Sequence, residues 1–404
     1  MKTHELIGHV DSDCFYVSAE RVRHEHLRHI PVGVLGNQGA CVIAKSYELK
    51  ARGVKTGMPI WDAAPLCPDA VFVKRDFRWY EVLSRKLLGV IRSVSPQVEY
   101  YSIDEMFFDA SALREPAENL QQRILQEVGI PVSIGISRSR TLAKLMSDVR
   151  KPFGCCTITE KDAIENFIHL QPVEELCGIG SRSTRKLHQH GIRTCWQFTQ
   201  ANRHFIRKLL TIKGEALWWE LQGEAVIPIL TERKKHKAIA RGGSIGRPST
   251  DRERLWAWTV RDAERLIEEL DFHRVLVGEL VMKLSYKTAG DWSRSVRFAS
   301  PTGDFDKLLE AAHRLHLVAC LELQGQAVTH IDLIAERLCD RGAEQRSLFE
   351  ADEGNSSIAQ LKRATNEKLG RFALRSAATL PLTDIYNDEA FNYDVCDIRD
   401  KTCF

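Results

Sequence analysis

Long hydrophobic runs are absent from this sequence. No stretch reaches the roughly 20 apolar residues of a membrane-spanning helix, which excludes a helical integral membrane protein. Paired cysteines are missing too. The eleven cysteines are scattered singly except for Cys155 and Cys156, adjacent residues that cannot form an ordinary bridge, and no Cys-x-x-Cys pair exists to hold zinc. They read as reduced thiols, mostly small buried hydrophobes, with a reservation for Cys396 and Cys403 near the end. An apolar leader is lacking: the chain runs directly into a strand-like Leu6-Ile7-Gly8-His9-Val10, which places the protein in the cytosol. There are no internal repeats. There is little net charge, and a formal +3 does not by itself require a polyanionic partner.

What is present is ordinary globular composition, 44% hydrophobic and 27% charged, spread over 404 residues, more than one core usually organises. Several domains are therefore expected. The first strand ends at Asp11-Ser12-Asp13 and a helical pattern through Phe15, Val17 and Val22 follows. Residues 31–36 and 40–44 read as two short strands joined by Asn37-Gln38-Gly39, a small module of its own. Helical spacing from Phe77 to Val94 stops before Ser95-Pro96, and residues 98–103 form a strand entering Asp104-Glu105. Met106 to Asp109 leaves as another strand. A helix over 117–128 and a strand over 132–136 complete an α+β alternation. Residues 160–230 form a cluster of short helices. A second α+β unit spans about 240–343, with strands near 279–286 and 328–335 and helices near 252–270 and 305–320. Residues 358–372 carry a helical pattern in an otherwise weakly patterned tail.

The adjacent carboxylates Asp104 and Glu105, at the tip of an apolar strand hairpin, are the local feature that most needs a cation. Strand neighbours point to opposite faces, so two acids there are costly unless the backbone turns or a metal gathers them. Magnesium prefers oxygen ligands from one or two carboxylates plus substrate phosphates, and two such ions can clamp the attacking and leaving oxygens of a phosphoryl transfer. Asp11, at the end of its own apolar strand, can supply a shared third carboxylate. The plain alternative is an Asp-Glu dipeptide decorating a turn. From Arg233 to Thr250 the chain carries six basic residues (Arg233, Lys234, Lys235, Lys237, Arg241 and Arg247) and no acid, which suits a polyanion or else a solvated linker.

Asp11-Ser12-Asp13-Cys14-Phe15-Tyr16 together with Tyr101-Ser102-Ile103-Asp104-Glu105 resemble the two catalytic motifs of Y-family (translesion) DNA polymerases. Ser133-Ile134-Gly135-Ile136-Ser137, Leu142-Ala143-Lys144-Leu145 and Lys151-Pro152 resemble the third, and residues 44–55 resemble the fingers segment. The likeness points to the bacterial UmuC-type branch, the catalytic subunit of DNA polymerase V. It implies an α+β multidomain, right-hand polymerase: palm over 1–22 and 76–159, small fingers over 23–75, and helical thumb with a helix-hairpin-helix over 160–230. A basic linker over 231–240, an α+β little finger over 241–343, a clamp-binding motif over 344–350 and a tail over 351–404 would follow.

The resemblance further implies that Asp11, Asp104, Glu105 and the carbonyl of Ser12 hold two Mg2+ ions. Tyr16 would be the steric gate beneath the sugar, beside Phe15, against the alternative of an ordinary aromatic in a helix's first turn. Tyr47, Lys50 and Lys151 would contact the incoming triphosphate, with lysine at 50 where many members carry arginine. Cys41 and Ile43, which alone would be read as core, would cover the nascent base pair. Gly178, Gly180, Arg182, Arg185 and Lys186 resemble the DNA-gripping hairpin, and Arg241 would join the DNA face; backbone amides there hold phosphate without reading sequence. Gln345, Ser347, Leu348 and Phe349 resemble the sliding-clamp pentapeptide.

The expected activity is error-prone translesion synthesis from dNTPs on primer-template DNA, of the SOS mutagenesis type, without proofreading. A UmuD′-like accessory protein and a recombinase filament are implied partners, and association with the nucleoid follows. Two other classes compete. A catalytically silent DNA-bound scaffold would have lost its acids, and all three are present; a palm-type nucleotidyl cyclase would need neither hairpin, basic stretch nor clamp motif.

Overall fold

The computed structural model describes residues 6–36, 41–232, 235–288, 290–322, 325–343, 357–369 and 372–382. The chain divides into two compact units between Arg233 and Lys234.

In the first unit β1 (Ile7–Ser12) and α1 (Phe15–Arg23) lead into β2 (Val32–Leu35), β3 (Val42–Lys45), α2 (Tyr47–Ala51), α3 (Ile60–Ala63) and β4 (Val71–Lys74). Then come α4 (Phe77–Val94), β5 (Val98–Tyr100), β6 (Glu105–Asp109), α5 (Ala117–Val128), β7 (Val132–Ser137), α6 (Arg140–Val149) and β8 (Cys155–Thr157). Five strands form one sheet in the order β5-β6-β1-β7-β8, with β1 at its centre and buried throughout. On one face Leu83, Leu87 and Ile91 of α4 meet Leu120 and Ile124 of α5 over Val10, Met106 and Ile134. On the other, Ala143 of α6 packs with Ile7 and Phe107. Both faces being covered explains why β1 reads as a nearly continuous apolar run. Two glycines allow the close layers: a Cβ on Gly8 would collide with the Phe108 ring, and one on Gly135 with the Ala143 carbonyl.

The small module is a three-stranded sheet, β3-β2-β4, rather than two strands alone; β4 pairs parallel to β2. Its strand pattern is short and half-exposed, which hid it in the sequence. The expected turn at residues 37–39 lies outside the described residues. Four helices follow, α7 (Lys161–His169), α8 (Ser181–Gln189), α9 (Cys195–Gln200) and α10 (Arg203–Leu221). Glu220, fully buried near the end of α10, clasps α6: its carboxylate accepts from Thr141 N (2.9 Å) and Ile227 N (2.9 Å), while its carbonyl accepts from Ser139 Oγ (2.6 Å).

The second unit contains β9 (Ala238–Ser249), α11 (Arg252–Phe272), β10 (Val275–Tyr286), β11 (Asp291–Thr302), α12 (Phe305–Glu322), β12 (Val328–Glu336), β13 (Cys339–Asp340) and α13 (Ser357–Leu369). The main sheet runs β11-β10-β12-β9, antiparallel throughout, under α11 and α12. Two of its strands were not expected. β9 begins at Ala238, inside the stretch read as a linker, and β11 is an edge strand whose outer residues face water, so neither shows a clean alternation. The tail helix appears near its expected place. Behind it Ser376 N donates to the buried Glu264 of α11 (2.9 Å), Lys362 pairs with the same carboxylate (2.5 Å), and Leu382 enters the core.

The nine described cysteines are all free, but fewer are buried than composition suggests: Cys67, Cys156 and Cys195 are, Cys177 is exposed, and five are half-buried. Cys396 and Cys403 lie outside the described residues.

Candidate active site

Antiparallel pairing of β1 with β6 sets Asp11 directly opposite Glu105, and pairing with β7 sets it opposite Ser133. Ser12 N donates to the Asp104 carbonyl (2.9 Å), so the turn before β6 is stitched to the end of β1. Ser102 builds that turn: its hydroxyl accepts from Glu105 N (3.1 Å) and donates to Asp104 Oδ1 (2.5 Å). The sequence-predicted acids Asp11, Asp104 and Glu105 and the backbone of Ser12 therefore meet at neighbouring strand ends.

Two lysines neutralise them. Lys151 Nζ lies 2.7 Å from Asp11 and 2.7 Å from Asp148, and Lys144 pairs with Glu105. Burial pulls both ammonium groups down, but the acids around them more than offset it, Asp11 first for Lys151 and Glu105 first for Lys144, and hold both above the usual lysine range. The acids stay crowded nonetheless. Burial, opposed by Lys151 and reinforced by a hydrogen bond to Glu105, pushes Asp11 up to about 8; burial and then the Glu105 charge raise Asp104. Beneath them the fully buried His9, bonded to Ser147 Oγ (2.7 Å), is held neutral by burial and by Lys144, Lys151 and Arg140.

Among the described residues no three His, Cys, Asp or Glu side chains converge on a single ion-sized point, and Asp104 Oδ1 accepts from the Ser102 hydroxyl. The donor set is nevertheless all oxygen, which suits a hard divalent cation, and such a cation would offset the burial that chiefly raises Asp11 and Asp104 as well as the Glu105 charge beside them.

Around the acids, Tyr16 stacks on Tyr80 (4.6 Å between ring centroids), and Tyr80 donates to Glu20 (2.7 Å). Burial and then the Asp104 charge push the Tyr16 hydroxyl up to about 12, which sets this ring beside the carboxylates. Phe15 is core, 5.7 Å from Tyr16. Tyr47 donates to Asp13 (3.2 Å). Lys50 is exposed at the end of α2, near enough to lower Lys45, whose burial has already weakened its ammonium. Cys41 and Ile43 are half-buried on the other sheet, at and beside β3. Gly178, in left-handed backbone (φ 98°), and Gly180 precede α8, on which Arg182, Arg185 and Lys186 are exposed. Cys177, at the start of that turn, touches the Tyr101 hydroxyl (3.8 Å) two residues before Ile103. Arg241 pairs with Glu269 of its own unit (2.5 Å). The pentapeptide residues Gln345, Ser347, Leu348 and Phe349 lie outside the described residues.

Sequence reasoning gave no role to Lys144, Asp148, Ser102, Tyr80 or Asp13, each of which holds a site residue in place. Lys144 and Asp148 could have been found from their i, i+4 spacing on one helix face, which carries them toward the loop of Lys151.

Residues 10–148 match the impB/mucB/samB family model, and residues 236–348 match the C-terminal domain of the same family. DNA polymerase IV 1 of Bacillus subtilis is 31% identical over 394 residues, 93% of each chain. The chain belongs to the Y family of DNA polymerases. Protein ImpB of Salmonella typhimurium is 34% identical over 275 residues, covering 64% of this chain and 65% of that one. Among solved structures, a Y-family DNA polymerase chimera of Dbh and Dpo4 superposes with a TM-score of 0.73 at 21% identity, covering 83% of this chain and 99% of the other, which confirms the right-hand polymerase fold. This polymerase is a DNA-directed enzyme of translesion synthesis without proofreading; its substrates are a DNA template and dNTPs, and polymerases of the family use divalent metal ions. No helix among the described residues is long and apolar enough to cross a membrane.

Proposed function

We propose that the polymerase adds dNTPs to a primer 3′-hydroxyl at the Asp11–Asp104–Glu105 strand ends, as the error-prone catalytic chain of SOS-type damage tolerance. The observation that carries the reading is the convergence of Asp11, Asp104 and Glu105 at neighbouring strand ends, where Lys151 pairs with Asp11 and Lys144 with Glu105. Asp11, Asp104, Glu105 and the Ser12 carbonyl would hold two Mg2+ ions, which when bound supply a lowered hydroxyl pKa and charge neutralisation on the leaving pyrophosphate. Lys151 and Tyr47, and Lys50 from the tip of α2, orient the triphosphate and oppose its charge. Tyr16, braced by Tyr80, bars a ribose 2′-hydroxyl, and Cys41 and Ile43 cover the base pair.

In this reading the β1 sheet with α4 to α6 is the palm and the β2 sheet the fingers. The α7–α10 bundle is the thumb, gripping duplex through Gly178, Gly180, Arg182, Arg185 and Lys186, and the second unit is the little finger. Likeness to ImpB and the motif pattern favour the UmuC-type branch, with a UmuD′-like partner, a recombinase filament and clamp capture by residues 345–349 in a nucleoid-associated, cytoplasmic enzyme. Primer extension on undamaged and abasic templates tests it, with and without clamp and a UmuD′-like partner. Extension lost in Asp104→Ala/Glu105→Ala supports the site. Extension that survives in the double variant overturns it.

A further inference from the structure

We propose that Asp13 is a positioning residue for the incoming nucleotide. Its carboxylate fastens the Lys151 loop and the Tyr47 ring to the strand end that bears Asp11, an inference resting on the reading of Lys151 and Tyr47 as triphosphate contacts. Asp13 follows β1 by one residue, just before Cys14 takes a left-handed backbone (φ 47°) at the start of α1. It is 2% exposed, and no lysine or arginine among the described residues forms an ion pair with it. Instead three neutral donors converge on it from three separate elements. Phe153 N, two residues beyond Lys151, donates to Oδ2 (2.7 Å); Ser133 Oγ of β7 is 3.1 Å from both oxygens; the Tyr47 hydroxyl of α2 donates to Oδ1 (3.2 Å).

Among the described residues three donors and no acceptor face its two oxygens, the arrangement that suits an anion. None of these bonds is needed to close the sheet, since Asp13 N has its own partner in the Pro131 carbonyl (2.9 Å). What they do is fix the separation of Lys151 from Asp11, which stands at 2.7 Å, and park Tyr47 over the same edge. A backbone N–H cannot reverse its polarity, whereas the two hydroxyls can turn. Asp13→Asn therefore keeps an oxygen for Phe153 N and loses mainly the orientation of Tyr47, and Asp13→Ala releases both.

The test is steady-state incorporation on an undamaged primer-template by Asp13→Asn, Asp13→Ala, Lys151→Ala and Tyr47→Phe, and by each Asp13 variant combined with Lys151→Ala, with melting temperature and DNA affinity measured alongside. Asp13→Ala is expected to raise KM for dNTP about tenfold or more with kcat changed far less, Asp13→Asn to recover most of that loss, and the Asp13 effect to shrink in the Lys151→Ala background. Should Asp13→Ala fail to fold, Asp13→Asn alone and with Lys151→Ala gives the same comparison with a smaller shift. Unchanged KM with a lowered melting temperature, or a full multiplicative effect on top of Lys151→Ala, overturns the proposal while leaving the site reading intact. Unchanged KM in both Lys151→Ala and Tyr47→Phe instead overturns the triphosphate reading, and this inference with it.

Discussion

The sheet around β1 and the sheet around β10 are both packed on helices and lined by aliphatic side chains, yet they hold acidic residues in opposite ways. At the β1 end, burial raises Asp11, Asp13 and Asp104. On the β10 sheet, the half-buried Glu279 is lowered by Ser295 and then Arg337, and the exposed Asp291 by Lys283 and then Ser285. The buried acids of the second unit lie in α11 instead, Asp262 between Arg261 and Arg265 and Glu264 on Lys362. The β10 sheet meets the charge of its acids with neighbouring cations and hydroxyls; the β1 sheet keeps its acids confined at the proposed nucleotide site, and perturbed acids are what such a site is expected to hold.

The same chemical change in the two sheets gives the widest contrast. Asp104→Asn should lower primer extension by about a thousandfold or more, beyond the ~10–100-fold typical of residues behind a metal's ligands, with little change in melting temperature. A next, smaller effect should appear in stability. Glu220→Ala strips two backbone N–H groups of their acceptor and should cost about 3 kcal/mol in denaturant unfolding, through the first unit alone.

Acid then separates the units from the other side. Burial, with His313 and Arg252, lowers His316 from 6.5 to about 4, so below pH 6.5 the unfolded chain takes up a proton that the folded one refuses. Stability from this residue is complete above pH 6.5 and falls as pH drops toward the folded value, by about 2 kcal/mol at pH 5. His9 adds the same sign in the first unit, so the measurement is the difference between wild type and His316→Gln across that range. Least of all, Asp291→Asn on the exposed β11 strand should leave extension and melting temperature unchanged.

The first unit was far more legible in the sequence than the second, for physical reasons. β1, β6 and β7 are buried on both faces, so their apolar runs announced them, and each ends at a residue whose chemistry is costly to bury. β9 and β11 have open outer faces carrying glycine, serine and arginine, and nothing in composition separates such a strand from a linker. Asp11, Asp104 and Glu105 could be named from the motifs, but not their present state: that Lys144 and Lys151 rest on them, or that Ser102 turns Asp104 aside, depends on side-chain directions that spacing does not specify. Nor does a basic residue in a basic stretch announce its partner: Arg241 pairs with Glu269 of α11, 28 residues further along the chain.

The clasp at Glu220 has a mechanical side. It rivets the end of α10 to the start of α6, the helix that carries Lys144, so this junction cannot serve as a pivot for the helical bundle. Bending is left to Thr211, where α10 already breaks its ladder with a backbone at φ 69° and ψ −168°. The last turns of that helix thus travel with the β1 sheet as its outrigger.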